Sequence, residues 1–129
     1  MASMKQFIVF CENRVGELAR VTEALAQNAI NIRGLATDLG GSRPSIRVIT
    51  DDEASTRNAL RRNGFLFEEA EVVSVDLSDR PGEIAKMARR IASADVNIDS
   101  VFLLGKKNTP ASLALVTNDP KKARKFLED

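Results

Sequence analysis

The apolar residues of this chain follow two periods in turn, one typical of β-strands and one typical of α-helices. Residues 4–10 end in a run of apolar side chains, which predicts a short strand before a polar turn. Apolar residues then recur at helical spacing as far as Asn28, which predicts an amphipathic helix. The helical positions are Leu18, Val21, Leu25 and Ala26.

The remainder of the first half predicts a hairpin, a second helix and another strand. Residues 30–35 alternate as a strand, and the Gly-rich segment 40–44 ends in proline, as a tight turn does. Residues 46–50 therefore return as the hairpin partner. Asp51 or Asp52 is a candidate cap for the helix that Gly64 ends. A fourth strand begins at residue 65, so the first half has the order βαββαβ.

The second half shows the same succession of patterns. Residues 72–77 alternate as a half-buried strand, and Pro81 suits the first turn of a helix because that turn needs no N–H from it. The later elements are a strand over residues 96–104, a turn over residues 105–110, a strand over residues 113–116 and a helix from Asp119.

The two halves are also related residue by residue. At a shift of 66 positions, residues 11–36 and 77–102 are identical at seven of 26 pairs. Those pairs are Arg14/Arg80, Gly16/Gly82, Glu17/Glu83, Ala19/Ala85, Ala26/Ala92, Asn31/Asn97 and Ile32/Ile98. At a shift of 67 the pairs Ser45/Ser112, Thr50/Thr117, Asp52/Asp119, Arg57/Arg124 and Leu60/Leu127 follow. Repetition of this kind indicates two copies of one structural unit.

The order βαββαβ determines the expected fold. With right-handed crossovers it gives an antiparallel sheet with both helices on one face. The sequence therefore predicts an α+β, ferredoxin-like fold in two tandem copies, with residues 1–70 as the first unit and 71–129 as the second. The pattern predicts no final strand for the second unit. Because an unpaired strand edge invites another strand, we expect a homo-oligomer, at least a dimer.

Composition excludes several functional classes. The chain has 19 Lys and Arg against 18 Asp and Glu, so net charge gives no case for nucleic acid or an anionic membrane as partner. No apolar run approaches the roughly 20 residues of a membrane span. The single cysteine, Cys11, excludes an internal disulfide and fits a cytoplasmic protein.

The absence of histidine argues against catalysis and metal binding by this chain. Without histidine the usual proton-transfer group near neutral pH is missing. One cysteine and no histidine cannot build a structural zinc site. We therefore predict no catalytic residues, no metal site and no cofactor.

One motif points to a family. The second copy contains a strand that runs into Asp79-Arg80-Pro81-Gly82-Glu83-Ile84-Ala85-Lys86, then a helix, then Val96-Asn97-Ile98. This pattern resembles the ACT domain, a small βαββαβ module. The first copy departs from the motif with Asn13 and Val15 in place of Asp79 and Pro81.

The resemblance implies a regulatory protein. ACT domains bind amino acids or similar small effectors and regulate metabolism, so the expected function is a sensor of a small amino acid that catalyses no reaction. The alternative is a detached regulatory subunit of an amino-acid biosynthetic enzyme, which would then be its partner.

The repeated glycines are the physical basis of the predicted site. Gly16 and Gly82 stand where a strand ends and a helix begins, and a residue without Cβ lets a ligand approach the backbone. The free N–H groups and positive dipole end of that helix suit a carboxylate. Either glycine taken alone is also what an ordinary turn requires.

The resemblance also implies which residues contact the effector. In that family the ligand sits where two units meet, between the strand–helix loop of one and the second strand of the other. The corresponding loop residues are Asn13, Arg14, Val15, Gly16 and Leu18 in the first copy and Asp79, Arg80, Pro81, Gly82 and Ile84 in the second. The opposite wall is formed by Asn31, Ile32, Asn97 and Ile98. The apolar members of this set favour an aliphatic ligand, or belong to the core.

RNA binding is the main competing class, because RNA-recognition modules share the βαββαβ order. Those modules stack bases on sheet aromatics beside basic side chains. The predicted strands here carry phenylalanines but no such basic-aromatic signature, and the net charge of the chain is only +1. A binding module for a small effector therefore remains the leading interpretation.

Overall fold

The computed structural model of the protein describes residues 4–104 and 111–128. The chain forms two compact units, Lys5–Ala70 and Glu71–Asp129, with Met4 belonging to the second. The division falls inside one long strand. The turn predicted over residues 105–110 lies outside the described residues.

The first unit is an antiparallel sheet with two helices. Its elements are β1 (Met4–Phe10), α1 (Glu17–Gln27), β2 (Ile32–Asp38), β3 (Ser45–Thr50), α2 (Glu53–Arg62) and the first part of β4 (Leu66–Leu77). The strand order is β2-β3-β1-β4. Phe7 pairs with Val48, and Leu35 pairs with the same residue from the other side.

The core of the first unit lies between the sheet and its helices. Phe7 and Val48 from the strands and Leu25 and Leu60 from the helices are all fully buried. Because side chains of both helices meet the same strand residues in one core, both helices cover the same face of the sheet.

Asp52 caps α2 by accepting a hydrogen bond from the Ser55 N–H at 3.0 Å. It is one of the two residues, Asp51 and Asp52, that were predicted as candidate caps.

The second unit repeats this arrangement. It contains the rest of β4, then α3 (Glu83–Ser93), β5 (Ile98–Leu104), β6 (Ala111–Thr117) and α4 (Pro120–Glu128). Its strand order is β4-β6-β5, and its core combines Val73, Leu113 and Leu115 with Met87 and Ile91. The predicted tandem ferredoxin-like fold, with antiparallel sheets and helices on one face, is confirmed.

The repeat extends to backbone details. Ala29 and Asp95, which follow α1 and α3, both have positive φ, 55° and 60°. The register of β2 against β3 shifts between Ile32 and Gly34, and that of β5 against β6 shifts at the matching place. The two units therefore share local conformation as well as topology.

Candidate functional site

Each unit has a bend between its opening strand and its first helix. The first bend is residues 13–16, between β1 and α1, and the second bend is residues 79–82, between β4 and α3. Gly16 and Gly82 are the N-caps of the two helices, with φ of 90° and 85°, and no side chain caps either helix. This left-handed conformation is open to glycine at little cost, whereas other L-residues are strained there.

The two bends have the same hydrogen bonds. The Arg14 N–H donates to the Glu12 carbonyl at 3.0 Å, and the Arg80 N–H donates to the Ser78 carbonyl at 2.9 Å. The first intrahelical bonds follow, from the Arg20 N–H to the Gly16 carbonyl and from the Lys86 N–H to the Gly82 carbonyl. Both sequences thus encode one backbone shape.

The helix ends at the bends are accessible. A Cβ placed on Gly16 or Gly82 would meet no atom within 4 Å. The early N–H groups of a helix have no acceptor inside it and carry its positive partial charge. At the bends these donors belong to Leu18 and Ala19 in α1 and to Ile84 and Ala85 in α3. The bends therefore offer open space beside backbone donors, which suits a small carboxylate.

The apolar candidate residues lie on the surface. Val15 is fully exposed, and Leu18 and Ile84 keep 38% and 52% of their accessible surface. Neither Leu18 nor Ile84 belongs to the core of its unit. Of the two alternatives left by the sequence, the structure excludes the core for Leu18 and Ile84, and their role as ligand contacts remains a prediction.

A buried carboxylate stands beside the first bend. The Glu17 side chain is only 2% exposed and accepts hydrogen bonds from Arg14 Nε at 2.6 Å and from Arg20 Nη2 at 3.0 Å. The Arg20 guanidinium also lies 4.4 Å from the ring centroid of Phe65. The hydrogen bonds from Arg20 and Arg14 lower the pKa of Glu17. The charge of Glu17 is thus held by two arginines at the base of the bend.

The second unit has a looser version of this network. Arg80 Nη2 donates to Glu83 Oε1 at 3.1 Å, and Lys86 Nζ lies 3.8 Å from the same oxygen. The sequence singled out Arg14, Glu17 and their partners in the repeat, but not Arg20 or Lys86. The sequence signal for Arg20 and Lys86 is their spacing: each follows a repeated glutamate by three positions and so lies on the same helix face as that glutamate.

The Glu17 network predicts a specific pH dependence. A carboxylate whose pKa is lower in the folded state stabilises the fold above its unfolded pKa, near 4.5. That contribution disappears as pH falls through the folded pKa. We expect a Glu17→Gln variant to be less stable than the wild type at neutral pH and to lose less stability on acidification below about pH 4.5.

Urea unfolding at a series of pH values measures this difference. Glu23→Gln, at an exposed position on the same helix, is the matched control and should follow the wild-type profile. Equal pH profiles for Glu17→Gln and the wild type would show that the network contributes nothing to stability.

The predicted wall residues lie at the other end of each sheet. Phe10, just before the first bend, pairs with Ser45 at the start of β3, whereas Ile32 pairs with Thr50 at its end. The two pairs are about 16 Å apart along the strand. Asn31 directly precedes Ile32, so one unit does not bring its own bend and wall residues together.

The second unit separates its candidates in the same way. Leu77 pairs with Ala111 near the bend, and Ile98 pairs with Thr117 at the far end. The Asn97 side chain donates to Asp99 Oδ1 at 2.6 Å, and its N–H donates to Asn118 Oδ1 at 2.9 Å. Asn97 thus stabilises the start of β5 locally.

The described residues contain neither a candidate metal site nor a candidate membrane span. Across the described residues, no cluster of three or more acidic, cysteine or histidine side chains is arranged to hold a metal ion. No helix within residues 4–104 and 111–128 has the length and apolar character needed to cross a membrane.

Comparison with known proteins places this geometry in context. Residues 5–62 match the ACT domain family, and curated protein sequences give no match. The crystal structure of protein BT0572 from Bacteroides thetaiotaomicron is similar, with 28% identity and a TM-score of 0.87 over 98% of this chain and 87% of that chain.

Two aspartate kinase structures share the fold at lower identity. The ligand-free regulatory subunit from Thermus thermophilus is 19% identical, with a TM-score of 0.70 over 98% of this chain and 88% of that chain. E. coli aspartokinase III, in complex with lysine and aspartate, is 15% identical, with a TM-score of 0.58 over 98% of this chain and 30% of that chain. Residues 5–62, the segment that matches the ACT domain family, contain the complete first bend and both helices of the first unit.

Proposed function

We propose that this protein is a regulatory sensor that binds a small amino acid at its strand–helix bends and catalyses no reaction itself. The observation that carries the proposal is the repeated, uncapped helix start at Gly16 and Gly82, with open space above each glycine. The match of residues 5–62 to the ACT domain family supports the same class of ligand.

The bends match the groups of an amino acid one by one. The ligand carboxylate would accept hydrogen bonds from the first-turn amides of Leu18 and Ala19, or of Ile84 and Ala85. The exposed side chains of Asn13 and Asp79 would accept from its ammonium group. The exposed Val15 and Leu18, with Pro81 and Ile84 in the second unit, would contact an aliphatic side chain.

A thermal-shift screen of all twenty amino acids tests this proposal. A ligand at 100 times its dissociation constant stabilises the native state by about 2.7 kcal/mol. We expect one or a few aliphatic amino acids to raise the melting temperature by several degrees, with the corresponding amines, which lack the carboxylate, as matched controls. No shift with any amino acid at millimolar concentration would contradict the proposal.

A second candidate function is a detached regulatory subunit of an amino-acid biosynthetic enzyme. It is favoured by the fold shared with the Thermus thermophilus aspartate kinase regulatory subunit over 88% of that chain. In either case binding would act by shifting the conformation or assembly of a partner.

The assembly state separates the two candidates. We propose at least a homodimer for the free sensor, since β2 and β5 are the outermost of the described strands and such edges accept further strands. Light scattering on protein purified from its native cells should give twice the mass of the chain or more for a sensor, and co-purification of a larger chain for a subunit.

A further inference from the structure

The two outermost described strands each have an uncovered apolar face. Leu35 in β2 pairs with a core residue of β3, and Val101 and Leu103 in β5 pair with core residues of β6. Residues directly opposite each other in a sheet point to the same face, so these three side chains point to the helix side. They nevertheless keep 44%, 50% and 66% of their accessible surface. The helix layer of each unit therefore leaves the core face open at the edge strand.

Each of these edges is open in two respects. The strands β2 and β5 end the order of the described strands, and an outermost strand presents backbone N–H and C=O groups on its free side. Exposed apolar side chains beside such an edge add area that association removes from water. A strand added there in register supplies both the hydrogen bonds and the cover. The two edges therefore suit another strand with apolar side chains of its own.

We propose that a second copy of this chain occupies both edges, with β2 of one copy antiparallel to β5 of the other. This inference rests on the homodimer proposed above for the sensor and specifies the surfaces that form it. The repeat makes β2 and β5 equivalent strands, so each could pair with its own kind or with the other. Two observations favour the unlike pair.

The first observation is the match of side chains across the unlike pair. An antiparallel register brings three pairs of exposed residues opposite each other, which are Leu35/Val101, Thr37/Asp99 and Arg33/Leu103. The first pair joins two apolar side chains. In the second, the Thr37 hydroxyl would donate to the Asp99 carboxylate. In the third, the aliphatic stem of Arg33 would cover Leu103 while its guanidinium stays in water.

A pair of two β5 strands matches less well. With Val101 opposite itself, Asp99 of each copy would lie opposite Leu103 of the other. Covering a carboxylate with an apolar side chain removes its water and supplies no hydrogen bond in return. This mismatch would occur twice in such a dimer, so the β5 edge fits β2 better than it fits a second β5.

The second observation is the number of edges. Among the described strands, each chain has one β2 edge and one β5 edge. A dimer joined by unlike edges can pair all four, and assembly then stops at two copies. A dimer joined through β2 alone would leave both β5 edges unpaired, with Val101 and Leu103 still in water. Unlike pairing therefore covers the apolar side chains of both edges within a dimer.

Disulfide trapping between two variants of the full chain tests the proposal. Both variants carry Cys11→Ser, which removes the single native cysteine, and each receives one new thiol through Leu35→Cys or Val101→Cys. Directly opposite residues have Cβ atoms about 4.5–5.5 Å apart, which a small adjustment brings within disulfide range. Under mild oxidation, an equimolar mixture should form covalent dimers about tenfold faster than either variant alone, because paired thiols react at a high effective concentration. Non-reducing gel electrophoresis measures the products.

Leu66→Cys, also with Cys11→Ser, is the matched control. Leu66 is 68% exposed at the start of β4, outside both edge strands, and this variant should not be trapped by the Leu35→Cys variant. Equal trapping with the control, trapping of one edge variant alone at the rate of the mixture, or no trapping in the mixture would overturn the proposal. The measurement uses no amino acid, so successful trapping beside a failed thermal-shift screen would contradict the sensor alone.

Discussion

A chain that carries both Gly16→Asp and Gly82→Asp should bind amino acids much more weakly than the wild type. The new carboxylates would lie at the helix starts where the ligand carboxylate is proposed to bind, and like charges at such contact repel each other strongly. We expect the affinity at each altered bend to fall about tenfold or more. Isothermal titration calorimetry measures this loss, and the single variants assign it to each bend.

The backbone cost of these substitutions needs its own control. Aspartate at φ of 90° or 85° is strained, and the change should cost about 1 kcal/mol of stability at each site. Gly64→Asp introduces the same residue at φ of 74°, at the end of α2 and outside the two bend segments, residues 13–16 and 79–82. Binding by the double variant that equals binding by Gly64→Asp would exclude the bends as the site.

Truncation of Phe7 should have the largest effect on stability. Phe7 is fully buried in the first core, and its ring centroid lies 6.0 Å from that of Phe67 in a tilted arrangement. We expect Phe7→Ala to lower the free energy of unfolding by about 3–5 kcal/mol, since the cavity adds to the lost apolar burial. That loss is a large part of the 5–15 kcal/mol, in round terms, that stabilises a typical domain.

Urea unfolding followed by circular dichroism measures this loss. The matched control is Leu66→Ala at the start of β4, because Leu66 remains 68% exposed and should contribute within about 0.5 kcal/mol. If Phe7→Ala cost no more than Leu66→Ala, the first core would not be organised around this ring.

Most of the fold could be predicted because it depends on local periodicity. The apolar run that begins at Phe7 predicted the first strand, and the helical spacing of Val21 and Leu25 predicted the first helix; all three side chains are fully buried. The repeat predicted the elements of the second unit, because segments of related sequence adopt related backbone conformations. The cap at Asp52 followed from its position before a helical pattern.

Burial of individual side chains was harder to predict. Glu17 is an acid in the first turn of α1, a position that the helix dipole favours on an exposed surface, yet its side chain is almost fully buried between two arginines. Ile84 has helical spacing with the core residues Met87 and Ile91, but it lies beyond the edge of the core and is exposed. Helical periodicity predicts which face of a helix points toward the core. How much of that face neighbouring elements bury depends on tertiary contacts.

Amino-acid titration of the ¹⁵N-labelled protein tests the central claim most directly. With an amino acid that raises the melting temperature, the account predicts saturable shifts centred on the first-turn amides of Leu18 and Ala19, Ile84 and Ala85, or one of these pairs. Saturable shifts confined to other parts of the chain, with these amides unmoved, would contradict it.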